Sequence, residues 1–171
     1  MHRRFLLPCA LMLLAGASPE GRAVELSSAC RPVFVAMEKT VKSNHATTTT
    51  TSTHGGDATR GVTVDGTAWL QVRGAWRKSP LTVQAMIDMS HENLKDAKEY
   101  SCKSLPDSVV DGTPVSNYAT HNVSGDDDVI DSRVAIAKAT GLAVSVENRI
   151  GGDASATTTT HYTYGNVKAP M

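Results

Sequence analysis

The fold of this chain turns on how one stretch is read, Ala46-Thr47-Thr48-Thr49-Thr50-Thr51-Ser52-Thr53. By composition it is a low-complexity tract. By conformation it is a strand, because threonine's β-branched side chain favours extended backbone and its hydroxyl tolerates water. A second run, Thr157 to Thr160, continues directly into His161, Tyr162, Thr163 and Tyr164, a strand-like succession of β-branched and aromatic residues. Two matching disordered tracts are the less economical reading. Two threonine-rich strands, one near each end of the chain, then frame what lies between them.

Working inward, hairpin punctuation recurs. Asp65-Gly66 divides Val62–Val64 from Ala68, Leu70 and Val72, and Asp111-Gly112 divides Val109-Val110 from Val115 and Tyr118. Further strands are expected at Ser132 to Lys138 and Leu142 to Ile150, with Thr140-Gly141 between them and Gly151-Gly152 turning into the last one. Two segments carry helical spacing instead. From Cys30 to about Ser43, Val33, Phe34, Met37 and Val41 fall on one face, Pro32 suits the first turn, and Glu38 pairs with Lys42 one turn later. From Pro80 to about Leu94 come Leu81, Met86, Ile87 and Met89 among polar residues, which places a second helix in the long connection before Tyr100 and across a sheet face. The expectation is an α+β meander of about seven or eight strands with two helices. Gly125 and Asp126-Asp127-Asp128 mark an exposed turn rather than a calcium loop, because the regular alternate-position carboxylates and closing Glu are missing.

Working outward, Arg3 and Arg4 lead into the apolar run Phe5 to Ala15 and then small residues, the pattern of a secretory signal peptide. Cleavage after Ala17 or Ala23 fits the small-x-small rule, so residues 1–23 are read as signal and 24–171 as a single domain. The apolar run is short of the ~20 residues that span a bilayer, so no integral membrane segment is expected in the mature chain. The whole chain of 171 residues balances 17 Lys+Arg against 17 Asp+Glu. Loss of Arg3 and Arg4, with or without the compensating pair Glu20 and Arg22, leaves a net charge of −2. That charge removes the basic excess nucleic-acid binding draws on. Cys9 leaves with the signal, and Cys30 and Cys102 remain as the one pair in an exported, oxidising setting. Their disulfide closes a loop of about 70 residues, for which the chain-entropy relation gives about 4 kcal/mol.

The order helix, threonine-rich strand, hairpin ending in Trp76, helix, Cys102, meander resembles the periplasmic lipoprotein-carrier fold of LolA and LolB. The phrases that carry the likeness are Gly66-Thr67-Ala68-Trp69 with Gly74-Ala75-Trp76-Arg77, Tyr100-Ser101-Cys102-Lys103, and Val110-Asp111-Gly112-Thr113-Pro114-Val115-Ser116-Asn117-Tyr118. Ser132 through Leu142 and Tyr162 through Val167 complete it. The resemblance implies a strongly curved antiparallel sheet, a half-open barrel, with two helices packed on its concave face and an apolar cavity between. It implies a periplasmic location and no particular cargo residue, since the arginine by which the chaperone grips its cargo has no alignable counterpart beyond Arg60 or Arg73 by position. The lipidated cysteine of the membrane-anchored acceptor has none.

A curved sheet closed by helices holds an acyl chain where side chains otherwise pack. The lining candidates are Phe34 and Met37 on the first helix, Met86, Ile87 and Met89 on the second, and Trp69 and Trp76 on the early strands. Plain core is the competing reading for all of them, as apolar stripes at helical spacing usually are. The face of the two tryptophans is left open by Gly74 between them. No nucleophile elbow, zinc-binding helix motif or phosphate loop occurs, no cofactor is expected, and His54, His121 and His161 show no metal-ligand spacing. Two functional readings result: a non-enzymatic periplasmic protein that binds or shuttles a lipid or lipoprotein acyl chain, or a cell-envelope protein with a filled core that binds another protein through the exposed edges of its threonine-rich strands.

Overall fold

A computed structural model describes residues 27–52, 58–151 and 157–170. The expected signal segment with its expected cleavage sites, Cys9, Thr53, His54 and Gly152 lie outside those residues.

Helix α1 (Arg31–Lys42) is followed by strands β1 (His45–Thr51), β2 (Thr59–Val64), β3 (Thr67–Val72) and β4 (Ala75–Lys78). Helix α2 (Val83–Asp96) leads into β5 (Glu99–Val110), β6 (Thr113–Val123), β7 (Val129–Ala137), β8 (Ala143–Ile150) and β9 (Thr157–Tyr164). Asp65-Gly66 and Asp111-Gly112 turn with both residues at positive φ, 49° and 74° in the first and 48° and 79° in the second, the backbone a two-residue hairpin requires. The same geometry at Arg73 (51°) and Gly74 (80°) makes a third hairpin and a ninth strand, β4, where seven or eight were expected. Arg-Gly is a weaker turn signal than Asp-Gly, and a four-residue strand is too short to show alternation.

The nine strands among the described residues form one antiparallel open sheet in the order β4-β3-β2-β1-β9-β8-β7-β6-β5. It is the curved sheet with two helices that the resemblance implied. The two threonine-rich strands pair with each other from His45 opposite Tyr164 to Thr51 opposite Thr158, and Thr49 and Thr160 share a hydroxyl–hydroxyl hydrogen bond of 2.9 Å. This corrects one expectation: β1 is taken on both sides by β2 and β9, and β9 by β1 and β8, so neither offers a free backbone edge. The edges belong to β4 and β5, and α2 is the connection that carries the chain from one to the other.

Helix α1 lies on the sheet through Val33 and Ala36, which are buried with Val134, Ile136 and Val146, while Met37, Tyr118 and Tyr162 pack against that cluster. Its far end is pinned by Thr40, wholly buried, whose Oγ1 accepts from the Ala143 amide at 2.9 Å. Its start is pinned by the disulfide Cys30–Cys102, with Cα atoms 5.1 Å apart across a separation of 72 residues. The helix is thus fastened at both ends to strands on the same side of the sheet. Helix α2 begins at Thr82, whose hydroxyl caps the Ala85 amide, and buries only Val83 and Ile87. Its packing partner is α1.

Register decides which side chains share the covered face. From Val134 the pairing runs to Val146, Thr160 and Thr49, and Thr63 on the same face stands opposite Ala68. Trp69 is therefore on the other face, and Gln71 opposite Trp76 puts the second tryptophan there too. The two tryptophans stand on the face that α1 leaves uncovered.

Candidate functional site

A groove of about 470 Å³ runs between α1 and α2 and ends on the sheet at Tyr100 and Asn122. Its walls follow from helical periodicity. On α1, Phe34, Glu38 and Val41 recur at three- and four-residue steps beside Val33 and Met37, the edge of the stripe that packs on the sheet. On α2, Met86 and Ile87 share a side with Ser90, Asn93 and Leu94, and Met89 forms the outer lip with Leu81, which precedes the helix, the two half exposed at 50% and 41%. The apolar residues of α1 thus divide their duty: Val33 and Ala36 fill the core, and Phe34 and Val41 are left for the groove.

Phe34 and Tyr100 fix the sheet end of the groove, ring edge to ring face at 5.3 Å between centroids. Cys30 lies one turn before Phe34, and Cys102 two residues after Tyr100, so the disulfide sets the separation of these rings. Burial pushes the Tyr100 hydroxyl's pKa above its usual value. At the α1 wall, Glu38 is held below the usual carboxylate range by its hydrogen bond and charge pairing with Lys42, and it is ionised at neutral pH. Asn122 stands opposite Tyr100 in the β5–β6 register.

Five of the residues singled out in the sequence therefore meet in one place: Phe34, Met37, Met86, Ile87 and Met89. Trp69 and Trp76 do not join them, for the alternation that puts Ala68 on the covered face turns both rings to the other. Tyr100 and Asn122 were missed. Tyr100 was findable, because strand alternation puts it on the same face as Cys102, which must face α1 to reach Cys30. Asn122 sits in a run of polar residues, Thr120-His121-Asn122, where alternation gives no sign of which face is dry.

The opposite face holds a second, polar depression, where His121 pairs with Asp131 at 2.7 Å beside Arg133, Glu147 and Arg149. His161 shares that face but is separated from β6 by β7 and β8, so it does not approach His121. Among the described residues no group of three or more His, Cys, Asp or Glu side chains is placed to hold a metal ion. No described helix is long and apolar enough to cross a membrane.

No protein-family model and no curated protein matches this chain. Among solved structures it is similar to the Mycobacterium tuberculosis lipoprotein LppX, at 9% identity over 83% of this chain and 100% of that one, with a TM-score of 0.49. It is also similar to LprF from Mycobacterium bovis, at 8% identity over 86% of this chain and 97% of that one, with a TM-score of 0.44.

Proposed function

We propose that the protein holds a hydrophobic ligand, a lipid or the acyl chain of a lipoprotein, in the groove between α1 and α2, and performs no reaction on it. The observation that carries this is the groove itself: about 470 Å³ walled by Phe34, Met37, Met86, Ile87 and Leu94, where two helices in plain packing contact would interlock. Its volume falls in the range of ~300–1,000 Å³ typical of small-molecule sites. Methionines on the α2 wall adapt to chains of varied shape. The apolar lip at Met89 and Leu81 gives such a chain a way in.

The setting is read from sequence: an exported chain, cleaved after Ala17 or Ala23, acting in the periplasm as a single domain over 24–171 with the architecture of the LolA and LolB carriers. The alternative, a filled core that recruits a protein along a strand edge, fits this structure less well. The long free edge is that of β5, and it is broken by Pro106 and by a register shift between Leu105 and Ser108.

The test is fluorescence of the neutral dye N-phenylnaphthylamine, which brightens on entering an apolar site. The native protein should bind it saturably, and a Met86→Glu, Met89→Glu variant with unchanged circular dichroism should not. Equal binding by both, or none by either, overturns the reading.

A further inference from the structure

We infer that the natural ligand is a single-chain amphiphile whose uncharged head group donates a hydrogen bond, through a hydroxyl or an amide N–H, to the side chain of Asn122. This rests on the groove being a hydrophobic ligand site and specifies what enters it.

The first observation is an orphaned acceptor. Among the described residues, Asn122 Oδ1 is the buried side-chain polar atom with no hydrogen-bond partner, and Asn122 is part of the groove wall. Buried polar atoms are nearly always paired, because one shut off from water and left unpaired destabilises the fold. A ligand donor relieves that deficit once the Asn122 amide turns its oxygen out of the wall and into the groove, a rotation that sacrifices no hydrogen bond of that atom. A purely hydrocarbon chain, an ester or an ether leaves it in place, since none of them carries a donor.

The second observation is charge. No Lys or Arg is among the described residues that line the groove, whereas Glu38 is, and its partner Lys42 holds it ionised. A carboxylate or phosphate head group drawn between the helices finds no lining ammonium or guanidinium to pair with, and Lys42 beside the groove is already committed to Glu38. Among the wall's other polar side chains, Ser90 and Asn93 are uncharged and suit an uncharged head. The third observation is size: about 470 Å³ lies in the lower half of the range for sites that take one small ligand, which favours one chain over two.

Displacement of N-phenylnaphthylamine by three probes built on a twelve-carbon chain tests this: dodecanol, dodecyl methyl ether and laurate. The alcohol should displace the dye about tenfold more effectively than the ether, the usual worth of one buried hydrogen bond. Laurate at pH 8 should be weaker than the alcohol. In Asn122→Leu the alcohol and the ether should become equal, while the thermal midpoint of the free protein stays level or rises because the orphaned acceptor is gone.

Equal displacement by alcohol and ether in the native protein overturns the inference, and that comparison stands even if Asn122→Leu fails to fold. So does an alcohol preference that survives in Asn122→Leu, or laurate matching the alcohol. A dye that never binds overturns the groove reading itself; a dye that binds and is displaced by all three probes alike leaves that reading intact and removes only this one.

Discussion

Replacing both Cys30 and Cys102 by alanine removes the covalent tie between the start of α1 and β5. The two residues are 72 apart in sequence. The chain-entropy relation assigns a loop of that length about 4 kcal/mol of stabilisation, between the ~3 of a 15-residue loop and the ~4.7 of a 100-residue one. Alanine is the right replacement because Cys30 is wholly buried and a serine hydroxyl would need a partner there. A native domain has only ~5–15 kcal/mol in hand, so the variant should unfold at a much lower urea concentration. Urea titration of the oxidised protein and the variant, followed by far-ultraviolet circular dichroism, measures the difference. A second effect should accompany the first, because the disulfide sets Phe34 against Tyr100 at the end of the groove. The variant, at a temperature where it remains folded, should bind N-phenylnaphthylamine more weakly than the native protein. A loss of stability under ~1 kcal/mol would refute the reasoning, showing that Thr40 and the core cluster hold α1 on the sheet without help.

Other perturbations test the supports of the same helix and sheet. Thr40→Val strands the Ala143 amide and weakens the Tyr164 hydroxyl's contact, and should cost ~1–3 kcal/mol in urea unfolding, whereas Thr40→Ser should cost far less. His45 is buried against Tyr162 and Tyr164, and burial, outweighing its hydrogen bond to the Ser43 carbonyl, holds its pKa below the usual value. The unfolded chain therefore takes up that proton first, so stability is full above pH ~6.5 and falls as the pH drops below it. Urea midpoints at pH 8 and pH 5 should show that fall, and His45→Phe should reduce it. At Gly61, a Cβ would stand 2.5 Å from Thr47 Oγ1 on the neighbouring strand, so Gly61→Ala should cost ~1–3 kcal/mol and Thr47→Ala should relieve it in a double-mutant cycle.

Much of the architecture is legible in local chemistry. The threonine runs read as strands, and their pairing with each other follows from the sheet order, which no local signal contains. Asp-Gly at 65–66 and 111–112 marks two hairpins because those residues tolerate positive φ. Arg73-Gly74 makes the same turn without the same signature, and β4 went with it. In the groove, helical spacing brought Phe34, Met37, Met86 and Ile87 to the inner walls and Met89 to the exposed lip, since an amphipathic helix writes its apolar stripe into the sequence. The tryptophans show the limit of that logic. Hydrophobicity says that a large ring wants cover, but only register says on which side of the sheet it finds it. Asn122 shows another limit, because a buried amide looks like any surface amide until the helix above it is in place.

On the proposed function, the space between α1 and α2 holds a lipid-like molecule in the native protein. Lipid extraction and mass spectrometry of the mature protein, purified without detergent, test it most directly. One single-chain, uncharged amphiphile is expected at close to one per protein, absent from a folded Met86→Glu, Met89→Glu variant. Protein that carries no lipid, or a variant that carries the same lipid in the same amount, would contradict it.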